Sequence, residues 1–180
     1  MMRAWPVIAA MFVALGGLSA VAGYEMASPR GGAWREIAWP FPRDGWPAGR
    51  AYRCGAAACG SDVEVYLRPK LGFCNCDSGV ADDDEVDRVA DVDMISPRFA
   101  PLRAGEVVRV AEMPGRIRAY DLDMPDGRRT AIGIAVSHRC DLLAVAAQGS
   151  GDAAHVQRAV LALLESADVS KWMTMAMEGR

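Results

Sequence analysis

Histidine is almost missing from this chain, which has only His138 and His155 among its 180 residues. Acid–base catalysis and most transition-metal binding turn to imidazole first, and neither histidine stands in a motif that recruits it. The glycine-containing stretch QGSGDAAH (148–155) lacks the Lys-Ser/Thr of a phosphate-binding loop and the full spacing of a dinucleotide fingerprint. Ser150 has no G-x-S-x-G context. No C-x-x-C opens a helix to depress a thiol pKa, and no pair of C-x2-C knuckles announces a zinc site. The acidic run at 77–93 has neither the alternating ligands nor the closing glutamate of an EF-hand loop. No basic stripe interleaved with aromatics is present either, which removes nucleic acid from the expected partners. These absences leave hydrolase, transferase and nucleotide chemistry without support, and the expectation is a protein that binds rather than catalyses.

What is present begins with export. In MMRAWPVIAAMFVALGGLSAVAG, Arg3 supplies a positive start, Val7 to Leu18 an apolar core, and Ala20-Val21-Ala22 a small-x-small cleavage signal before Gly23. Residues 1–22 are therefore expected to be a signal peptide. The alternative is a retained anchor, because Pro6 to Gly23 carries no charge and is about 18 residues long, the lower limit for crossing a bilayer. The expected location is the periplasm or cell envelope, with a tether to the inner membrane if residues 6–23 stay. Cleavage leaves 180 − 22 = 158 residues, the size of one domain.

Residues 23–53 hold Trp34, Trp39-Pro40-Phe41-Pro42 and Trp46-Pro47 with little periodicity. Proline fixes φ and has no backbone donor, so an extended arm is expected, its rings covering either the domain itself or a partner. From 54 to 180 the patterns become regular. Residues 106–113, 115–124, 128–138 and 140–149 form four strand-like runs joined by short links, Met124-Pro125-Asp126-Gly127 being a tight-turn sequence. In the third run Ile132, Ile134 and Val136 alternate with Ala131, Gly133 and Ala135, giving a large and a small face. Asp152 is a good cap for a helix whose stripe holds Val156, Val160, Leu163 and Leu164, and this helix is expected to cover the small face. A short final helix, capped by Asp168 or Ser170, carries Met173, Met175 and Met177. A helix turns about 100° per residue, so Met175 points away from the other two and the trio does not converge on a soft metal. The fold class expected is α+β: an antiparallel sheet, with a four-stranded C-terminal meander plus one or two further strands, covered by a C-terminal helix and stapled by disulfides.

Charge is unevenly spread. Residues 77–93 contain eight acids against Arg88, or −8 + 1 = −7, while the rest of the chain carries −15 + 19 = +4. Asp82 to Glu85 has the spacing of an Asp-x-x-Glu cap on a short helix bearing Val86 and Val89. Asp82, Asp83, Asp84 and Glu85, with Trp34, Trp39 and Trp46, are the candidate contact surface for an unknown protein partner in the cell envelope. ADVDMIS (90–96) alternates as an edge strand would.

Five cysteines complete the inventory. Cys54 and Cys59 precede a strand containing Val63, Val65 and Leu67, and Cys74 and Cys76 follow it. In an oxidising compartment these four are expected to form structural disulfides, with bonds from 54 or 59 to 74 or 76 least strained and a buried Cys140 left over. No cofactor is expected. Two alternatives stand beside the staple: a copper or zinc handler using Cys54, Cys59, Cys74 and Cys76 as thiolates, and a thiol–disulfide carrier using Cys74 and Cys76.

Overall fold

A computed structural model describes residues 33–42, 44–73, 80 and 82–178, all within one compact unit, residues 33–180. The signal or anchor segment, Cys74 and Cys76 lie outside the described residues. Among those described, no helix is long and apolar enough to cross a membrane.

The fold is α+β, built on an eight-stranded antiparallel sheet. In chain order the elements are β1 (Trp34–Ile37), β2 (Arg50–Cys54), α1 (Ala56–Cys59), β3 (Val63–Lys70), α2 (Asp83–Val89), a 3-10 turn (Val92–Met94), β4 (Phe99–Pro101), β5 (Glu106–Val110), β6 (Met113–Met124), β7 (Gly127–His138), β8 (Asp141–Gly149), α3 (Ala153–Leu164) and α4 (Ala167–Met177). The strands lie in the order β1-β2-β3-β8-β7-β6-β4, with β5 also on β6. The stretch expected as an arm contributes β1 and β2, and β2 runs through the boundary placed at 53/54. β8 lies between β3 and β7, and its residues Leu142 to Ala147 are buried on both faces, as their unbroken apolar character requires.

Two-residue links close the hairpins. Met124 faces Gly127 across the β6–β7 turn, and Gly127 takes φ +121°, which glycine adopts without steric cost. The β5–β6 turn, Ala111-Glu112, holds both residues in the left-handed region, at φ +48° and +65°. Short hairpins favour that geometry, but a Cβ resists it by about 1 kcal/mol or more per residue. Glu112→Gly should therefore raise stability by about 1 kcal/mol, some 2–4 °C in Tm for a chain of this length. A thermal melt with unchanged or lowered Tm contradicts this.

The two C-terminal helices cover the large face of the sheet. Val156, Val160, Leu163 and Leu164 of α3, with Val169, Met173 and Met177 of α4, pack on Ile132, Ile134, Val136, Leu143 and Val145. This corrects the expectation that α3 covers the small face. Branched side chains on β7 offer more apolar area to a helix, while alanine and glycine leave room only for something that approaches closely. That something is the acidic segment: Val86, Val89, Ala90 and Val92 form a second core with Ala131, Ala135 and Tyr120. A Cβ on Gly133 would stand 2.9 Å from Val92 Cγ2 and 3.1 Å from Ala90 Cβ.

Three local readings change or hold for identifiable reasons. ADVDMIS forms a 3-10 turn rather than an edge strand, because Asp91 takes φ +62° and turns the chain down onto the sheet. α4 starts from Ser166, not Asp168 or Ser170, and the Ser166 hydroxyl donates to Leu163 O at 2.6 Å. Met173 and Met177 are buried while Met175 is 43% exposed, as the helical rotation demands.

Candidate functional site

Cys54 and Cys59 are bonded to each other, their Cα atoms 5.9 Å apart. The expected bonds from this pair to Cys74 or Cys76 are not the ones formed by Cys54 and Cys59. The single turn of α1 brings residues 54 and 59 together, whereas the eight residues of β3 carry the chain about 26 Å away. The loop is held at two more points: Asp62 Oδ1 accepts from Ala56 N–H at 3.2 Å, and His155 Nε2 lies 2.7 Å from Cys59 O. Cys140, expected as a buried leftover, is exposed on the β7–β8 turn and disulfide-bonded, its partner sulfur lying outside the described residues. With Cys54 and Cys59 oxidised together, neither is a thiolate for the four-cysteine metal alternative. Among the described residues, no group of three histidine, cysteine, aspartate or glutamate side chains is placed to hold a metal ion.

The acidic run is a capped helix, as its spacing indicates: Asp82 Oδ1 accepts from Glu85 N–H at 2.9 Å. Sequence reasoning missed what lies opposite. Asp83, Asp87 and Asp91, spaced by four, meet arginines and a lysine spaced by two on the strands. Asp83 accepts from Arg116 at 2.5 Å and from Gly105 N–H at 2.9 Å. Asp87 accepts from Arg118 and from the Tyr120 hydroxyl, both at 2.7 Å. Asp91 binds Lys70 at 2.5 Å and Arg68 at 2.8 Å, and Asp44 from the N-terminal stretch closes on Arg68 at 2.7 Å. Alternating cations on β3 and β6 facing an i, i+4, i+8 acidic row are the signal that would have revealed this docking.

The contact candidates accordingly occupy different settings. Asp82 and Asp84 are exposed, Asp83 is half-buried in its ion pair, and Glu85 is buried. Trp34 packs against the main core, Trp39 stands edge-on to Tyr66 and Phe41, and Trp46 packs on Phe73. The aromatic stretch thus covers the domain's own sheet.

One part of that sheet face stays open. A cleft of about 440 Å³ is lined by Arg53, Asp62, Glu64, Met124, Asp126, Arg129 and Gln148. Arg53, Glu64 and Gln148 are lateral neighbours on β2, β3 and β8. Glu64 Oε1 accepts from both Nε and Nη2 of Arg53, and Oε2 accepts from the Tyr66 hydroxyl and from Gln148 Nε2 at 3.0 Å. Arg129 pairs with Asp126 at 3.0 Å on the β6–β7 turn. Gln148 Oε1 is buried without a hydrogen-bond partner, although its amide orientation is set by the Glu64 acceptor.

Electrostatics lock these groups in one state. Burial opposes ionisation of Glu64, but hydrogen bonds from Tyr66 and Arg53 outweigh it and hold the carboxyl below its ordinary value. Burial and the Glu64 carboxylate push the Tyr66 hydroxyl far up. Hydrogen bonds likewise lower Asp83, from Gly105 N–H and then Arg116, and lower Asp44, from Arg68. A carboxylate whose pKa is lowered on folding contributes stability above its ordinary value and loses it as pH falls through the depressed one. Those ordinary values are 3.8 for the aspartates and 4.5 for Glu64. Tm should thus stay level from neutrality to about pH 5 and fall steeply below about pH 4. A Tm at pH 3 equal to that at pH 7 contradicts this assignment.

No protein-family model matches the chain, and no curated protein matches it.

Proposed function

We propose that this chain is an exported, disulfide-stapled binding domain of the cell envelope, without catalytic chemistry of its own, whose ligand contact falls on the cleft between β2, β3, β8 and the β6–β7 turn. The observation that carries this reading is the locked charge system of the cleft. Its lining offers no histidine, cysteine or serine. Glu64 stays ionised, and Tyr66 beneath it stays protonated near neutral pH. Glu64 and Tyr66 are thus each held in one protonation state, outside the range a general acid or base needs. The volume falls within the roughly 300–1,000 Å³ typical of small-molecule sites.

The disulfides support the compartment, since bonded cysteines persist outside the reducing cytosol. The acidic run and the aromatic stretch give way to the cleft as the proposed contact, because Asp83, Glu85, Trp34, Trp39 and Trp46 are engaged within the domain, leaving Asp82 and Asp84 exposed. The cleft is testable by chemical-shift mapping. Adding the small-molecule fraction of the cell envelope to the ¹⁵N-labelled oxidised protein should move the amide signals of Arg53, Glu64, Arg129 and Gln148. Shifts confined to α3 and α4, or none, contradict the reading.

A further inference from the structure

We infer that the cleft takes a small zwitterion, an amino acid or short peptide, whose carboxylate meets Arg53 and Arg129 and whose N–H groups meet Asp62 and Asp126. The inference rests on the cleft being the binding site, and it follows from which hydrogen-bonding atoms the lining has left over. Glu64 is saturated by Arg53, Tyr66 and Gln148 and has little to offer a ligand. Arg53 uses Nε and Nη2 on Glu64, and Arg129 uses Nη2 on Asp126. Arg53 Nη1 and the Nε and Nη1 atoms of Arg129 make no bond to any described residue.

On the acceptor side, Asp62 gives only Oδ1 to Ala56, and Asp126 gives only Oδ2 to Arg129. Gln148 Oε1 is sealed from solvent and lies out of a ligand's reach. Donors of positive charge and acceptors of negative charge thus line the same volume.

A simple anion would meet three carboxylates against two guanidiniums, +2 − 3 = −1. A simple cation would meet both arginines. An apolar ligand would have Met124 alone as its wall, and a sugar ring would find no aromatic face among the lining residues. A molecule with a carboxylate at one end and ammonium or amide N–H groups along it satisfies both sets, and guanidinium matches carboxylate geometry in a two-pronged fashion.

The test uses the oxidised protein and tri-alanine as probe, followed by calorimetry and by amide shifts of the cleft residues. Free tri-alanine should bind. Its N-acetyl and its C-terminal amide forms should each bind about tenfold more weakly, because each removes one charged contact. Arg129→Gln, at a partly exposed position near the start of β7, should abolish the penalty of C-amidation while leaving Tm unchanged. Tighter binding of citrate or spermidine in the same cleft overturns the zwitterion and leaves the binding reading standing. Equal affinity for free and capped peptides, or no cleft shift with tri-alanine at millimolar concentration, also overturns it. The envelope-extract mapping decides the broader reading independently.

Discussion

Changing Asp91 to asparagine should lower stability by about 3 kcal/mol, the range measured when one partner of a buried ion pair is removed. Asp91 is 8% exposed and is the anion shared by Arg68 and Lys70, themselves 2% and 5% exposed. Without it Arg68 keeps Asp44, but Lys70 keeps, among the described residues, the Val89 carbonyl at 3.3 Å and the Phe73 ring at 5.8 Å. A buried ammonium with no anionic partner is strongly disfavoured. Asparagine tolerates the left-handed φ of +62° as aspartate does, so the loss reports charge rather than backbone strain. The double change Asp91→Asn with Lys70→Met should recover most of the loss, since it removes the stranded cation together with the missing anion. Urea unfolding that finds less than about 1 kcal/mol lost, or no recovery in the double variant, contradicts the clasp.

The second large effect is expected at Gly133, in the middle of β7. A valine there would push two methyl groups into Val92, Ala90 and the Tyr120 ring, which already lie about 3 Å from a lone Cβ. Overpacking of this kind costs typically about 1–3 kcal/mol, and the upper end is expected because all three neighbours are themselves fully or almost fully buried. Adding Val92→Ala should return part of the loss by making room. If a C-terminal helix lay on this face instead, Val92→Ala would change nothing in the Gly133→Val background. Denaturant midpoints of the three variants distinguish the two arrangements.

These two positions also show where the sequence was legible and where it was not. The alternation of Ile132, Ile134 and Val136 with small residues identified β7, the proline and glycine near 124–127 identified its turn, and the stripe of α3 identified the helix. All are local patterns, set by neighbours within a few residues. Which element covers which face is not local. α3 and the acidic segment both present apolar residues, and the choice depends on how closely each can approach Gly133. The Asp82 cap was readable because its partner is three residues away. Docking of the same run was not, because Asp83 and Arg116 are 33 residues apart and the cap alone accounts for an acidic start. The cleft draws Arg53, Glu64, Arg129 and Gln148 from four strands, a set that no motif spacing announces.

The cysteines carried a similar ambiguity. Separation along the sequence could not show that α1 folds residues 54 and 59 back to within bonding distance, nor that residue 140 reaches a turn beside the end of β3. In the structure Gly72 N–H donates to Asp141 Oδ1 at 2.6 Å, which joins those two ends.

The state of these sulfurs bears on both the proposed exported location and the stapled fold, and one mass measurement tests them together. Chain purified from the cell envelope, denatured without reductant and alkylated, should carry one blocked thiol: five cysteines less the Cys54–Cys59 pair and less Cys140 with its partner, 5 − 2 − 2 = 1. The mass should correspond to a chain starting at Gly23, and the blocked residue should map to Cys74 or Cys76. Three or five blocked thiols on a chain that still carries residues 1–22 would contradict the account.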